Sequence, residues 1–137
     1  PTRRSSDLGT FRMARKSCFE DLECWKAARE LRKIACIVVT SKLPPDERYR
    51  LGDQLIRSAR SITANIAEGY GRFHYLDEAK FLSNGRGSAQ EVLDHLITAY
   101  DEGMIDETLL NHGRALADNT IALINGYRSY LIRRAKE

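Results

Sequence analysis

Proline is scarce in this chain. Of three prolines among 137 residues, two stand together at Pro44-Pro45 and one is the first residue. Long stretches are therefore free to run as uninterrupted helix. No segment alternates apolar and polar residues with period two, which argues against strands. No apolar run approaches the roughly 20 residues that a membrane span needs, and no signal-peptide pattern opens the chain. These absences point to a cytoplasmic protein. Cysteine is sparse too: Cys18, Cys24 and Cys36 form an odd set without metal-ligand spacing. Cys24 and Cys36 fall in one predicted helix, roughly 18 Å apart at its usual rise, beyond the reach of a disulfide. Free buried or half-buried thiols are expected.

Charge of one sign is also lacking. Twenty-two basic residues face nineteen acidic ones, a net +3. Residues 1–12 contribute much of that surplus, and they read as foreign to the fold. Pro1 to Leu8 (PTRRSSDL) has no periodicity and matches the translation of a sequencing-library adapter. The natural start is then Met13, and the domain is residues 13–137; the rival reading of the leader is a disordered basic arm. Without Arg3, Arg4, Arg12 and Asp7, nineteen basic residues face eighteen acidic ones, a net +1. Net charge therefore gives little argument for nucleic acid, and any such role must rest on local basic clusters.

What the chain has is charge and helical periodicity. Charged residues make up 30% of it beside an ordinary apolar share, as in a bundle with solvated faces. Four helices are predicted. The first runs from about Asp21 to Lys42, with Leu22, Trp25, Ala28, Leu31, Ala35 and Val38 inward, and Leu43-Pro44-Pro45-Asp46 ends it. The second, capped at Asp46 or restarted by Asp53 after Gly52, runs to Gly69. Its inward residues are Leu51, Leu55, Ala59, Ile62 and Ile66, and Gly69 is read as a left-handed stop. The third runs from about Tyr75 to Glu102, with Ala79, Leu82, Ala89, Val92, Leu93, Leu96 and Tyr100 inward. Gly85 and Gly87 lie inside it without a slip in apolar phase, which predicts close approach of another backbone. Gly103 ends it and Asp106 caps the fourth, whose stripe is Leu109, Leu116, Leu123, Ile124, Tyr127 and Leu131. With short connections, successive helices run antiparallel, giving an all-α, antiparallel up-and-down four-helix bundle.

Motifs for catalysis are missing. A di-iron bundle needs Glu-x-x-His on two helices; Glu91 precedes His95 by four, and no second pair exists. His74, His95 and His112 lie on separate segments and read as surface or capping residues. No arginine precedes a histidine with four to six residues between them, in the manner of small helical ribonucleases, and no nucleophile–base grouping emerges. Gly85-Arg86-Gly87-Ser88 lacks the strand and spacing of a phosphate loop. No metal or cofactor is expected. A polar stripe remains. Gln54, Asn65, Glu68 and Arg72 of the second helix and its end, with Ser88 and Glu91 of the third, are expected to form one connected structural network, since buried polar groups need partners. The sharper rival makes Glu68 and Glu91 an acid–base pair. Basic residues cluster at Arg48, Arg50, Arg57 and Arg60 and again at Arg128, Arg133, Arg134 and Lys136. Each cluster is a solvated face or a surface for phosphates.

An ordered set of residues resembles one family. It opens with Phe19-Glu20-Asp21-Leu22 and Trp25, and continues with Leu43-Pro44, Glu47-Arg48-Tyr49, Leu51, Gln54 and Arg57. Ser61-Ile62, Ala64-Asn65-Ile66-Ala67-Glu68-Gly69, Gly71-Arg72, Phe81-Leu82, Gly87-Ser88 and Glu91 complete it. These are similar to the four-helix-bundle proteins of intervening sequences in bacterial 23S ribosomal RNA genes. Thr63 stands where that family commonly has proline, His74 where a serine caps the third helix, and Gly85 where alanine is usual. The resemblance implies a ring-like homopentamer. A similar protein is the accessory factor of a retroelement reverse transcriptase and engages nucleic acid through a basic surface. The function expected is therefore non-enzymatic: an oligomer that binds RNA, or a nucleoprotein such as a reverse transcriptase, through Arg50, Arg57, Arg60, Arg128, Arg133 and Arg134. The alternatives are a scaffold for a protein partner and, last, a hydrolase using Glu68 and Glu91.

Overall fold

The computed structural model describes residues 17–137; the leader predicted at 1–12 and the start predicted at Met13 lie outside the described residues. A 3-10 turn, Phe19–Asp21, leads into α1 (Glu23–Ser41). A single helical turn, α2 (Pro45–Arg48), follows, and then the long helices α3 (Leu51–Tyr70), α4 (Tyr75–Asp101) and α5 (Glu107–Ala135). The described residues hold no strand. None of their helices is long and apolar enough to cross a membrane.

Each long helix packs against two others: α1 on α3 and α5, and α4 on α3 and α5. Paired contacts run in opposite senses. Ser61 meets Ser88 while Gly69 meets Phe81, and Arg32 meets Thr63 while Val39 meets Gly52. Leu96 lies on Gly113 while Tyr75 reaches Arg134. Neighbouring helices are therefore antiparallel, with α1 across from α4 and α3 across from α5. The shared seam holds Leu31, Leu55, Ile62, Ile66, Leu82, Leu96, Ile124 and Leu131, all fully buried. Each such side chain stabilises the fold by roughly 1.5–3 kcal/mol relative to exposure. Trp25 belongs to this core, edge-on to Phe19 with ring centroids 5.4 Å apart.

Several local expectations change. The prolines do more than stop α1: Pro45 opens α2 at a position where its missing N–H costs nothing. Neither Asp46 nor Asp53 caps α3. Arg50 is its N-cap, without a side-chain bond, and Asp53 instead accepts from Arg57 Nε at 2.8 Å. Gly69 is not a left-handed stop. It lies within α3, where a Cβ would sit 2.9 Å from the Cβ of Phe81. The positive φ (77°) among the described glycines belongs to Gly103, which ends α4 as expected. Gly85 contacts Ile62 O and Asn65 Cβ of α3, whereas Gly87 has nothing nearby, so the close approach applies to Gly85 alone. Tyr100 points outward and Ala99 takes the buried place. In α5 the centre of the stripe is Leu110, Ala117, Ile124 and Leu131, while Leu109, Leu116 and Leu123 are half-buried on its flank. Both series repeat every seven residues, so periodicity could not choose between them. The thiols are free, but Cys36 is exposed, Cys18 half-buried and Cys24 buried.

The helix starts differ in quality. Asp106 Oδ1 accepts from the Leu109 N–H at 2.8 Å and caps α5. His74 caps α4 with no side-chain bond. His74→Ser is expected to raise stability by about 1 kcal/mol in denaturant titration. Gly87→Ala is expected to add a similar ~1 kcal/mol, because the site is open and helical. Gly69→Ala must destabilise, because backbone-bound atoms block its Cβ.

Candidate functional site

The polar stripe between α3 and α4 divides into separate groupings. In the seam, the hydroxyls of Ser61 and Ser88 are 2.8 Å apart. Asn65 Nδ2 donates to Ser61 O at 2.8 Å and to Ser61 Oγ at 3.0 Å, so it braces the α3 partner of that pair. Gln54 takes part through its main chain: its carbonyl accepts from Ser58 Oγ and its N–H donates to Arg50 O. At the turn leaving α3, Arg72 bonds Glu68 at 2.9 Å, approaches Asp77 at 3.8 Å and lies over the Phe81 ring, 4.5 Å from its centroid. Glu91 meets His95 Nε2 at 3.3 Å, near the middle of α4. The six expected members therefore do not form one network. Glu68 and Glu91 are both more than half exposed, each beside a different partner, and they do not share a cleft.

The six candidate arginines also fall apart. Arg50, beside Glu47, precedes α3 at the end where α1 and α4 finish. Arg133 and Arg134 lie at the opposite end, on the helix diagonal to α3. Arg128 is half-buried, its Nε enclosed without a partner among the described residues. Arg57 is engaged by Asp53. Arg60 is different. It lines a cleft of about 230 Å³ between α1 and α3 with Arg32, Lys33, Cys36 and Ile56, and it has no acidic partner among the described residues. Arg32 is held there by donating to Thr63 Oγ1 at 2.8 Å. Thr63 is the position where the resembling family commonly has proline, which has no such acceptor. Arg32 and Lys33 escaped the reading of the sequence because they border the apolar stripe of α1 rather than forming a run. Their spacing from Arg60 exists only once α1 and α3 are paired.

A second unpredicted site is the buried pair Glu78–Tyr127. Glu78 sits four residues before Leu82 on the inward face of α4 and is only 6% exposed. That spacing was a legible signal. Its carboxylate accepts from Tyr127 Oη at 2.9 Å, and the Cys24 thiol and Tyr70 phenol lie around this pair. Burial pushes the Glu78 carboxyl above its ordinary value of 4.5, although the Tyr127 bond opposes the shift. Burial likewise pushes the Cys24 thiol up to about 11, which leaves it an inert thiol at neutral pH. An apolar cleft of about 340 Å³ between α1 and α5 opens beside Cys24, Leu123 and Tyr127.

The consequence for stability has a definite sign. The folded state binds the Glu78 proton more tightly than the unfolded chain, so this contribution is greatest below about pH 4.5 and declines as pH rises through the elevated folded value. Glu78→Gln keeps the acceptor for Tyr127 and removes the charge. It is expected to raise the melting temperature at pH 7 while narrowing the gap to wild type at pH 4.5. Tyr127→Phe, which strips the carboxylate of its donor, is expected to cost roughly 1–3 kcal/mol.

No group of three or more metal-ligating side chains is placed to hold an ion among the described residues. His112 lines an open cleft with Lys42 and Asp106, at the turn between α4 and α5. A comparison with curated proteins finds no match. A model of the 23S rRNA-intervening sequence protein family matches residues 20–126, from the 3-10 turn to about two-thirds of the way along α5. With four long helices packed about one core and a family match over most of its length, the chain belongs to the 23S rRNA-intervening sequence protein family.

Proposed function

We propose that this protein is a non-enzymatic, self-associating bundle that holds RNA, alone or as part of a nucleoprotein, in the basic groove between α1 and α3. One observation carries the proposal. Arg32, Lys33 and Arg60 converge from two helices on one cleft, and Arg60 has no acidic partner among the described residues. Lys33 and Glu30 form only an exposed pair at 3.5 Å, which costs little to exchange for a phosphate. Fixing Arg32 on Thr63 reduces the ordering cost of binding. The non-enzymatic part is supported by the separation of Glu68 and Glu91 into different exposed pairings. The homopentamer is carried over from the resemblance, and the cytoplasm is the compartment this reading assigns.

Arg60→Ala with Lys33→Ala is expected to weaken RNA retention about tenfold at 50 mM salt. It should also flatten the dependence of log K on log salt by roughly 1.5, as for two lost phosphate contacts. Filter binding at 50 and 200 mM salt checks both. Unchanged retention would favour a scaffold that recruits protein without nucleic acid. Light scattering is expected to give a pentamer, and a monomer would remove the self-association part of the reading.

A further inference from the structure

The aromatic residues are not spread evenly. Among the described residues, all but Tyr49 and Tyr100 lie in the half of the bundle that holds the start of α1 and the end of α5. Three are covered by guanidinium groups: Trp25 by Arg29 at 5.6 Å, Phe81 by Arg72 at 4.5 Å and Tyr75 by Arg134 at 5.6 Å. Others are left open to water. Phe73, in the connection between α3 and α4, is 99% exposed and Tyr130 45%, while Tyr75, under Arg134, is itself 40% exposed. A free phenylalanine on a short turn has no packing role in the monomer.

The charges around these rings favour an anionic partner. Glu68 and Asp77 flank Arg72, and Glu137 flanks Arg134. Arg133, Lys136 and Lys80 have no acidic partner among the described residues. Arg29, one turn before Lys33 on α1, extends the positive track from the α1–α3 groove toward this end. Rings interleaved with arginines, with Leu76 the exposed aliphatic neighbour, suit bases and phosphates better than the apolar core of a protein contact.

We propose that this end of the bundle is a stacking platform for unpaired RNA bases. Phe73 offers its open ring, with Tyr75 beneath Arg134 beside it, while Arg133 and Arg134 hold the adjoining phosphates. This rests on the reading of the α1–α3 groove as an RNA contact, and it adds a substrate class: single strands or loops rather than continuous duplex. In a duplex the bases are already stacked on one another, so the rings gain nothing from it.

Fluorescence anisotropy of the full chain with a labelled 12-nucleotide RNA, and with the same strand annealed to its complement, tests the proposal. Phe73→Ala is expected to weaken single-strand binding about tenfold and duplex binding less than twofold. Phe73→Leu should behave like Phe73→Ala, and Phe73→Tyr like wild type, because only the ring is needed. Retention of full affinity by Phe73→Leu overturns the platform, as does equal weakening of both RNA forms. Failure of the wild type to bind either form defeats both the groove and the platform. If the wild type binds both forms alike and Phe73→Ala changes neither, the groove stands and the platform falls. If Phe73→Ala lowers the mass in light scattering without changing RNA affinity, the end is a contact between copies, and the platform is again overturned.

Discussion

The close approach of α3 and α4 is the constraint on which the rest of the molecule depends. Gly69 lies under Phe81, Gly85 lies over the Ile62 carbonyl, and just beyond it along the seam the Ser61 and Ser88 hydroxyls meet at 2.8 Å. Two helices this near leave no room for bulky side chains along the seam, so the polar pair becomes the register mark. Register at this seam sets where the short connection emerges, and so where Phe73 is presented. It also sets which face of α3 remains for α1, and therefore that Arg60 confronts Arg32 and Lys33 across a groove. Exposed ion pairs along the helices, such as Arg57–Asp53, are by comparison minor contributors.

The basic surface of this protein is a matter of position rather than of total charge. Basic and acidic residues nearly balance over the domain, yet cations from α1 and α3 gather in one groove, and arginines alternate with rings at one end. In the proposed reading, a balanced chain of this kind would steer nucleic acid weakly from afar and hold it through near contacts, which salt screens over about 8–10 Å. The buried Glu78–Tyr127 pair belongs to a different class. It is a polar plug at the aromatic end of the core, costly to the fold at neutral pH, and linked through Tyr127 to the rings above it, with Tyr130 stacked alongside at 6.2 Å.

Much of the fold was legible in the sequence. The inward residues of α1 and α3 follow a single apolar stripe, Gly103 and Asp106 mark the last turn, and the period-3.6 pattern allows only helices. Legibility ended where two stripes share one period, as in α5, and where a glycine serves packing rather than termination, as Gly69 does. The site was less legible. Gln54, Asn65, Glu68, Arg72, Ser88 and Glu91 share a helical phase, but phase says nothing of height along the seam: Asn65 and Ser88 meet through Ser61, and Glu68 and Arg72 pair apart from them. The arginine clusters were read within single helices, whereas the groove forms between helices. Thr63, noted only as a departure from a family pattern, turned out to anchor Arg32.

A double-mutant cycle across the seam reads out whether the hydroxyl pair sets the register of α3 on α4. Ser61→Ala, Ser88→Ala and the double variant are compared by chemical denaturation. If the hydroxyl pair fixes the register of α3 against α4, each single change strands a partly buried hydroxyl and the double change relieves it. The coupling energy should then be about 1 kcal/mol. A coupling within error of zero, with the single costs simply adding, would mean that the pair does not set the register.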